Sequence, residues 1–137
     1  MDKLLETMLT IKEASDTHDK WVCFDFDGVC ASYKEGWQGP DVFGDPIREV
    51  AELTKELHEK GFKTCLFTTR PNDKALMDYL GKNGFEFDSV NSAEHNPVDA
   101  NKMKPVAELY IDDRAQRFDE NNIEKSIDGI WGHLVGK

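Results

Sequence analysis

Apolar and polar positions along this 137-residue chain alternate between a helical and a strand period. Residues 3–15 place Leu4, Leu5, Met8, Leu9 and Ile11 on one stripe, the spacing of an amphipathic helix. A polar link, SDTHDK, leads to a dense apolar run from Trp21 to Phe26, with the aromatic and β-branched content of a buried strand. Asp45 and Pro46 mark a helix start, with Ile47, Val50, Ala51, Leu53, Thr54 and Leu57 facing inward and Gly61 as the stop. A second strand, FKTCLF, runs into Thr68, Thr69 and Arg70. Pro71 and Asn72 open a helix carrying Ala75, Leu76, Tyr79 and Leu80, which ends near Gly81 to Gly84. A short strand around Phe85 to Val90 precedes the polar stretch NSAEHNPVDANKMKP and a strand at Leu109 to Ile111. Ile123, Ile127, Ile130, Trp131 and Leu134 space as a closing helix, which Gly129 and Gly132 weaken.

Strands alternating with helices predict an α/β fold: a Rossmann-like three-layer sandwich with a mainly parallel sheet and helices on both faces. The length accommodates a single domain over residues 1–137, with an N-terminal helix in 1–18, a core in 21–118 and a C-terminal helix in 119–137. Apolar runs stay short of membrane-spanning length, and acids interrupt the apolar face of residues 1–16, unlike a signal peptide. The expected setting is the cytoplasm, without a membrane partner. Cys23, Cys30 and Cys65 are odd in number and lack CxxC or Cys/His spacing, which fits reduced core thiols. The net charge of −10 and singly scattered Lys and Arg leave no basic track for a long nucleic acid. A short end held at one phosphate remains compatible.

Two segments carry the candidate chemistry. In WVCFDFDGV an apolar run ends in Asp25 and Asp27 and stops at Gly28; in LYIDDR another ends in Asp112 and Asp113. Ligands of parallel α/β sheets bind at the carboxyl ends of the strands, where all four carboxylates would sit. The plainer alternative for the first segment is a strand followed by an Asp-Gly turn. A second acidic strand end in one small domain argues against it. Neighbouring carboxylates repel, and a cation or shared proton relieves the cost. Oxygen donors from two strands suit Mg²⁺, and Thr68, Thr69 and Arg70 are the groups that hold phosphate oxygens.

FDFDGV resembles motif I of the haloacid dehalogenase (HAD) superfamily, hhhDxDG. LFTTR resembles its motif II and YIDDR its acidic motif IV, while Lys104 in KPVAELYIDDR has the position of the motif III lysine. The resemblance spans about residues 21–118, and GWQGPDVFGDPI with YIDDRAQRF looks like a small HAD phosphatase subgroup of bacteria and phages. It implies a Mg²⁺-dependent phosphomonoesterase acting on a nucleotide or other small phosphoester. Asp25 would be the nucleophile that becomes aspartyl-phosphate, and Asp27 the general acid/base whose backbone carbonyl also ligates Mg²⁺. Asp112 would ligate Mg²⁺ directly and Asp113 directly or through water. Thr68, with the backbone around Thr69, would hold the phosphate, and Lys104 would bridge phosphate and Asp25.

Alternatives stay open at several positions. Asp113 could cap the turn into Arg114, Lys102 competes with Lys104, and Arg70 either contacts substrate or is a surface partner for nearby acids. Trp37 is a loop anchor or a lid aromatic; His18, His58, His95 and His133 match no ligand spacing. The intervals between the motifs are too short for a cap domain, leaving the loop at Ser32 to Phe43 as the nearest flap. Such an open site admits a macromolecular end or is closed by a second subunit, a homo-oligomer. Two other functions therefore stand beside the first: a polynucleotide 3′-phosphatase, and a phosphate- or metal-binding module without turnover.

Overall fold

The computed structural model describes residues 19–135. The helix expected in 1–18 lies outside the described residues. Four strands form one sheet: β1 (Trp21–Phe24), β2 (Lys63–Leu66), β3 (Ser89–Val90) and β4 (Leu109–Ile111). Their order is β3-β2-β1-β4, and every pairing is parallel. Three helices connect or follow them: α1 (Arg48–Glu59), α2 (Lys74–Lys82) and α3 (Ile123–Val135). This is the α/β, Rossmann-like architecture that the alternation predicts.

One face of the sheet builds the core. Val22, Phe24 and Leu66 meet Leu53 and Leu57 of α1 and Leu76 and Leu80 of α2. Leu109 and Ile111 pair with Val22 and Phe24 and extend that face. Because side chains alternate, Cys23, Cys65 and Tyr110 form a row on the opposite face. All three cysteines are buried and free, as expected of core thiols. On α3, by contrast, Ile123, Ile127, Trp131 and Leu134 are exposed, so its apolar stripe contributes little to the described core. Among the described residues no helix is long and apolar enough to cross a membrane.

Several boundaries move inward from the sequence reading. α1 begins two residues after Pro46, with Ile47 at the N-cap and no side-chain cap, so Asp45 does not cap it. Asp45 instead serves the preceding loop, its carbonyl accepting from the Ser32 amide at 2.8 Å. α2 starts at Lys74 because Asp73 caps it through the Leu76 amide. β3 shrinks to two residues: the Asp88 amide still bonds the Thr64 carbonyl at 2.8 Å, but the Asp88 carboxylate, not a backbone carbonyl, takes the Thr64 amide. Gly61 does end α1, in the left-handed region at φ +89°.

The order 3-2-1-4 places a topological switch beside β1. The chain proceeds from β1 to β2 and β3 on one side, then returns to place β4 on the other. Strand carboxyl ends at such a point open a crevice between the connections leaving in opposite directions. Asp25 and Asp27 follow β1 there, and Asp112 and Asp113 follow β4.

Candidate active site

The end of β1 is shaped by Phe26, which is fully buried between two aspartates. Its ring packs edge-on against Phe43 and Tyr79. Its carbonyl accepts the amides of Val29, Cys30 and Ala31. Driving that ring inward leaves Asp25 and Asp27 on the crevice side. The Asp25 amide bonds to the Ile111 carbonyl at 2.9 Å and so ties the β1 end to the β4 end. Gly28 then turns at φ +86°, where a Cβ would stand 2.1 Å from Asp113 Oδ2. Only glycine lets the two acidic strand ends approach this closely.

Carboxylate oxygens of Asp25, Asp112 and Asp113 lie within 4.8 Å of one another. Burial pushes the Asp25 carboxyl up to about 6; the Phe26 amide opposes this, and Asp112, Asp113 and Asp27 add repulsion. Two of these carboxylates are held by the backbone through one oxygen. Asp25 Oδ1 accepts from the Phe26 amide at 2.8 Å, and Asp112 Oδ1 from the Arg114 amide at 2.7 Å. The turn into Arg114 is therefore capped by Asp112, and Asp113 faces Gly28 instead. The second oxygens complete a set of hard anionic donors of the kind Mg²⁺ takes, so the residues present fit that ion. The Asp27 side chain is not part of this cluster.

The same three acids line a cleft of about 390 Å³ with Asp27, Tyr33, Trp37, Phe67, Thr68, Thr69 and Arg114. Thr68 follows β2, and its amide donates to Asn91 Oδ1 at 2.8 Å. Asn91 Nδ2 returns a bond to the Arg70 carbonyl, clamping the loop from both sides. The Thr68 hydroxyl accepts from the Arg70 amide at 3.1 Å, which leaves its proton to donate. Thr69 is exposed at the cleft.

Arg70 departs from the substrate-binding role named for it. Its side chain is 3 % exposed and forms a fork on Asp27, with Nε to Oδ2 at 2.9 Å and Nη2 to Oδ1 at 3.0 Å. The remaining protons go to the carbonyls of Gly39, Pro40 and Val42. A guanidinium has five donors, and all five are engaged within the protein. None is free for a phosphate.

Lys104 likewise makes no contact with Asp25. Its exposed ammonium lies 4.9 Å from the centre of the Tyr110 ring. Tyr110 is the strand partner of Cys23, on the opposite face of the sheet from Phe24. Lys102 is committed elsewhere, to the Asn96 carbonyl at 2.7 Å. Of the histidines, His95 stacks on Trp21 at 3.7 Å and bonds the Val106 carbonyl. His58 bonds Asp88 at 2.7 Å.

Sequence reasoning did not find Asn91 or Asn96. Asn91 has a φ of +52°, and Asn96 bonds Asn101, Lys104 and Val106 to shape the loop before β4. The available signal was their type, since asparagine tolerates the left-handed region and can bond backbone on both amide atoms.

No family model matches the chain, and no curated protein does. It is similar to a solved structure, that of a conserved protein coded by a locus from Bacteroides thetaiotaomicron. The TM-score is 0.54 at 20 % identity, covering 88 % of this chain and 93 % of that one. At that identity the likeness concerns the fold. It supports the α/β class over nearly the full length of both chains.

Proposed function

We propose that this chain is a Mg²⁺-dependent phosphomonoesterase of the HAD type, using Asp25 as a covalent nucleophile on a nucleotide or other small phosphoester. The observation that carries the reading is the Asp25, Asp112 and Asp113 cluster, set at the switch point in one cleft with Thr68 and Thr69. Asp25 is oriented by the Phe26 amide on Oδ1; one of its carboxylate oxygens attacks phosphorus and the other is left to the metal. The P–O bond to the leaving alcohol breaks as that to Asp25 forms, and Asp27, entering the step with a proton taken up from solvent, passes it to the departing oxygen. Asp27 then takes a proton from water, which attacks phosphorus and frees phosphate and Asp25. Thr68 and the Thr69 backbone hold the non-bridging oxygens through this exchange. Held by Asp25, Asp112, Asp113 and the Asp27 carbonyl, Mg²⁺ would offset the charge that keeps an anionic ester from an anionic nucleophile. The Lys104 side chain is exposed and its ammonium has no hydrogen-bond or ion-pair partner among the described residues, so a side-chain swing from the Tyr110 face is its route to the phosphate.

Trp37 and Phe67 expose 54 % and 43 % of their surface while lining the cleft. Large aromatic faces beside a phosphate site favour a leaving group with a planar base. They would also serve the terminal base of a nucleic-acid end, the specific point in favour of a 3′-phosphatase. The net charge of −10 weighs against it, because each uncompensated phosphate of a polynucleotide weakens binding. The test is a phosphatase screen over mononucleotides, sugar phosphates and a 3′-phosphorylated oligonucleotide, with and without Mg²⁺ at low salt. The expected result is Mg²⁺-dependent turnover with higher kcat/KM on a small ester. A tenfold preference for the oligonucleotide, about 1.4 kcal/mol in transition-state binding, would favour the end-processing enzyme. Absence of turnover on every ester would favour a binding module.

A further inference from the structure

The loop between β1 and α1 is held in two different ways. Its neck is closed by backbone: the Ser32 amide bonds the Asp45 carbonyl at 2.8 Å, and Tyr79 OH donates to the Gly44 carbonyl at 2.7 Å. Gly44 is needed there because a Cβ would stand 1.9 Å from the Ser32 carbonyl oxygen. The tip is held by Arg70. Its guanidinium donates to Gly39, Pro40 and Val42 and lies 4.7 Å from the ring centres of both Trp37 and Phe43. The other hydrogen bonds of the tip run between near neighbours, such as Gly36 to Tyr33 and Val42 to Gly39. Opposite the loop, the same guanidinium grips both oxygens of Asp27.

We propose that Arg70 is a positioning residue, a latch that seats the 33–43 loop and presents Asp27 to the leaving group as one coupled event. The proposal rests on the phosphatase reading for the role of Asp27, but the latch itself is a matter of geometry. A buried guanidinium needs its counter-charge, and Asp27 forms the ion pair it makes. A fork on both oxygens also fixes the carboxyl plane, which a lysine cannot do. The seated loop carries Tyr33 and Trp37 into the cleft that holds Asp25. Orientation of the acid and closure of the cleft therefore rise and fall together. Substrate does not meet Arg70 directly.

The experiment compares Arg70→Met, Arg70→Lys and Asp27→Asn with wild type on two Mg²⁺-supported substrates. One is an aryl phosphate with an acidic leaving group, such as p-nitrophenyl phosphate, and the other an alkyl monophosphate. A departing alkoxide needs a proton from Asp27, whereas nitrophenolate leaves without one. Arg70→Met should lose at least tenfold more kcat on the alkyl ester than on the aryl ester, as Asp27→Asn should. The double variant should be no worse than Asp27→Asn alone. Hydrogen exchange of residues 33–43 gives a readout that needs no turnover: Arg70→Met should exchange there at least tenfold faster, with β2 unchanged. Equal loss on both esters, or unchanged loop exchange, overturns the latch. Should wild type hydrolyse neither ester, the phosphatase reading fails and the exchange result alone decides the latch. If Arg70→Met does not fold, Arg70→Lys, which keeps the charge, carries the same comparison.

Discussion

Two aspartates beside this sheet sit in opposite environments. Asp88 precedes β3, and its Oδ2 accepts from the Thr64 amide at 2.8 Å and meets His58 Nε2 at 2.7 Å. Burial alone would raise its carboxyl, but the Thr64 amide and His58 hold it below the ordinary value. Asp25 is also desolvated, has one backbone donor, and faces Asp112, Asp113 and Asp27. Its carboxyl is pushed up to about 6. Asp88 is satisfied from within the fold and pins β3 to β2 and α1. Asp25 is left with repulsion that only something from outside the fold relieves. A carboxylate whose environment disfavours its charge, in a cleft, is a candidate for chemistry; one whose donors favour it is a structural fastener.

The largest expected effect separates the two by activity. Asp25→Asn should lower turnover by more than about 10³-fold with the fold intact, because the amide cannot attack phosphorus. Asp88→Asn should leave kcat/KM within about twofold and lower stability by about 1–3 kcal/mol, read by urea denaturation. Near wild-type turnover in Asp25→Asn would remove the nucleophile from the account.

Mg²⁺ should act on one region only. Bound at a hundred times its dissociation constant it should stabilise the fold by about 2.7 kcal/mol, seen as a rise in Tm. The rise should vanish in a double Asp112→Asn, Asp113→Asn variant and persist in Asp88→Asn. Gly28→Ala comes next. A methyl group 2.1 Å from Asp113 Oδ2 at a φ of +86° must push the acidic strand ends apart. The expected cost is about 1–3 kcal/mol of stability together with a weaker Mg²⁺ response, measured by thermal denaturation with and without the ion.

The pH dependence should have opposite signs in the two regions. Asp25 has a folded-state pKa of about 6, above its ordinary 3.8, so the folded state keeps that proton longer. Its contribution is fully present below the unfolded value and is withdrawn as pH rises through about 6, on the order of 1–2 kcal/mol for a half-buried group. Without metal, wild type should therefore lose stability between pH 4 and pH 7 in a way that Asp25→Asn does not. Asp88 has its value lowered, so its contribution is present above about pH 4 and lost as pH falls below it. Subtracting the melting curves of the Asp25→Asn and Asp88→Asn variants from wild type checks both signs.

The acidic strand ends were legible because an apolar run that stops at a carboxylate states its own geometry. β1 and β4 had to bury Val22, Phe24, Leu109 and Ile111, and the residues following them had to emerge at the strand ends. The side-chain network was not legible. Nothing in the order of residues says that Arg70 reaches back to Asp27, a pairing 43 positions apart in sequence, or that Asn91 clamps Thr68. Such contacts depend on where the loop after β1 lies, which tertiary packing of Phe43 and Tyr79 decides. Helix starts slipped for a related reason: Asp45 can cap a helix or leave its carbonyl to the loop neck, and the neck won.

The central claim is that Asp25 forms a covalent phosphoryl ester. A single turnover of a phosphomonoester, with enzyme in excess and Mg²⁺ present, tests it by trapping that ester. Acid quenching during that turnover should yield a phosphorylated peptide spanning Trp21 to Lys34, detected by mass spectrometry in wild type and absent in Asp25→Asn. Full turnover with no phosphorylated peptide at any quench time, and an Asp25→Asn variant that still releases phosphate at the wild-type rate, would contradict it.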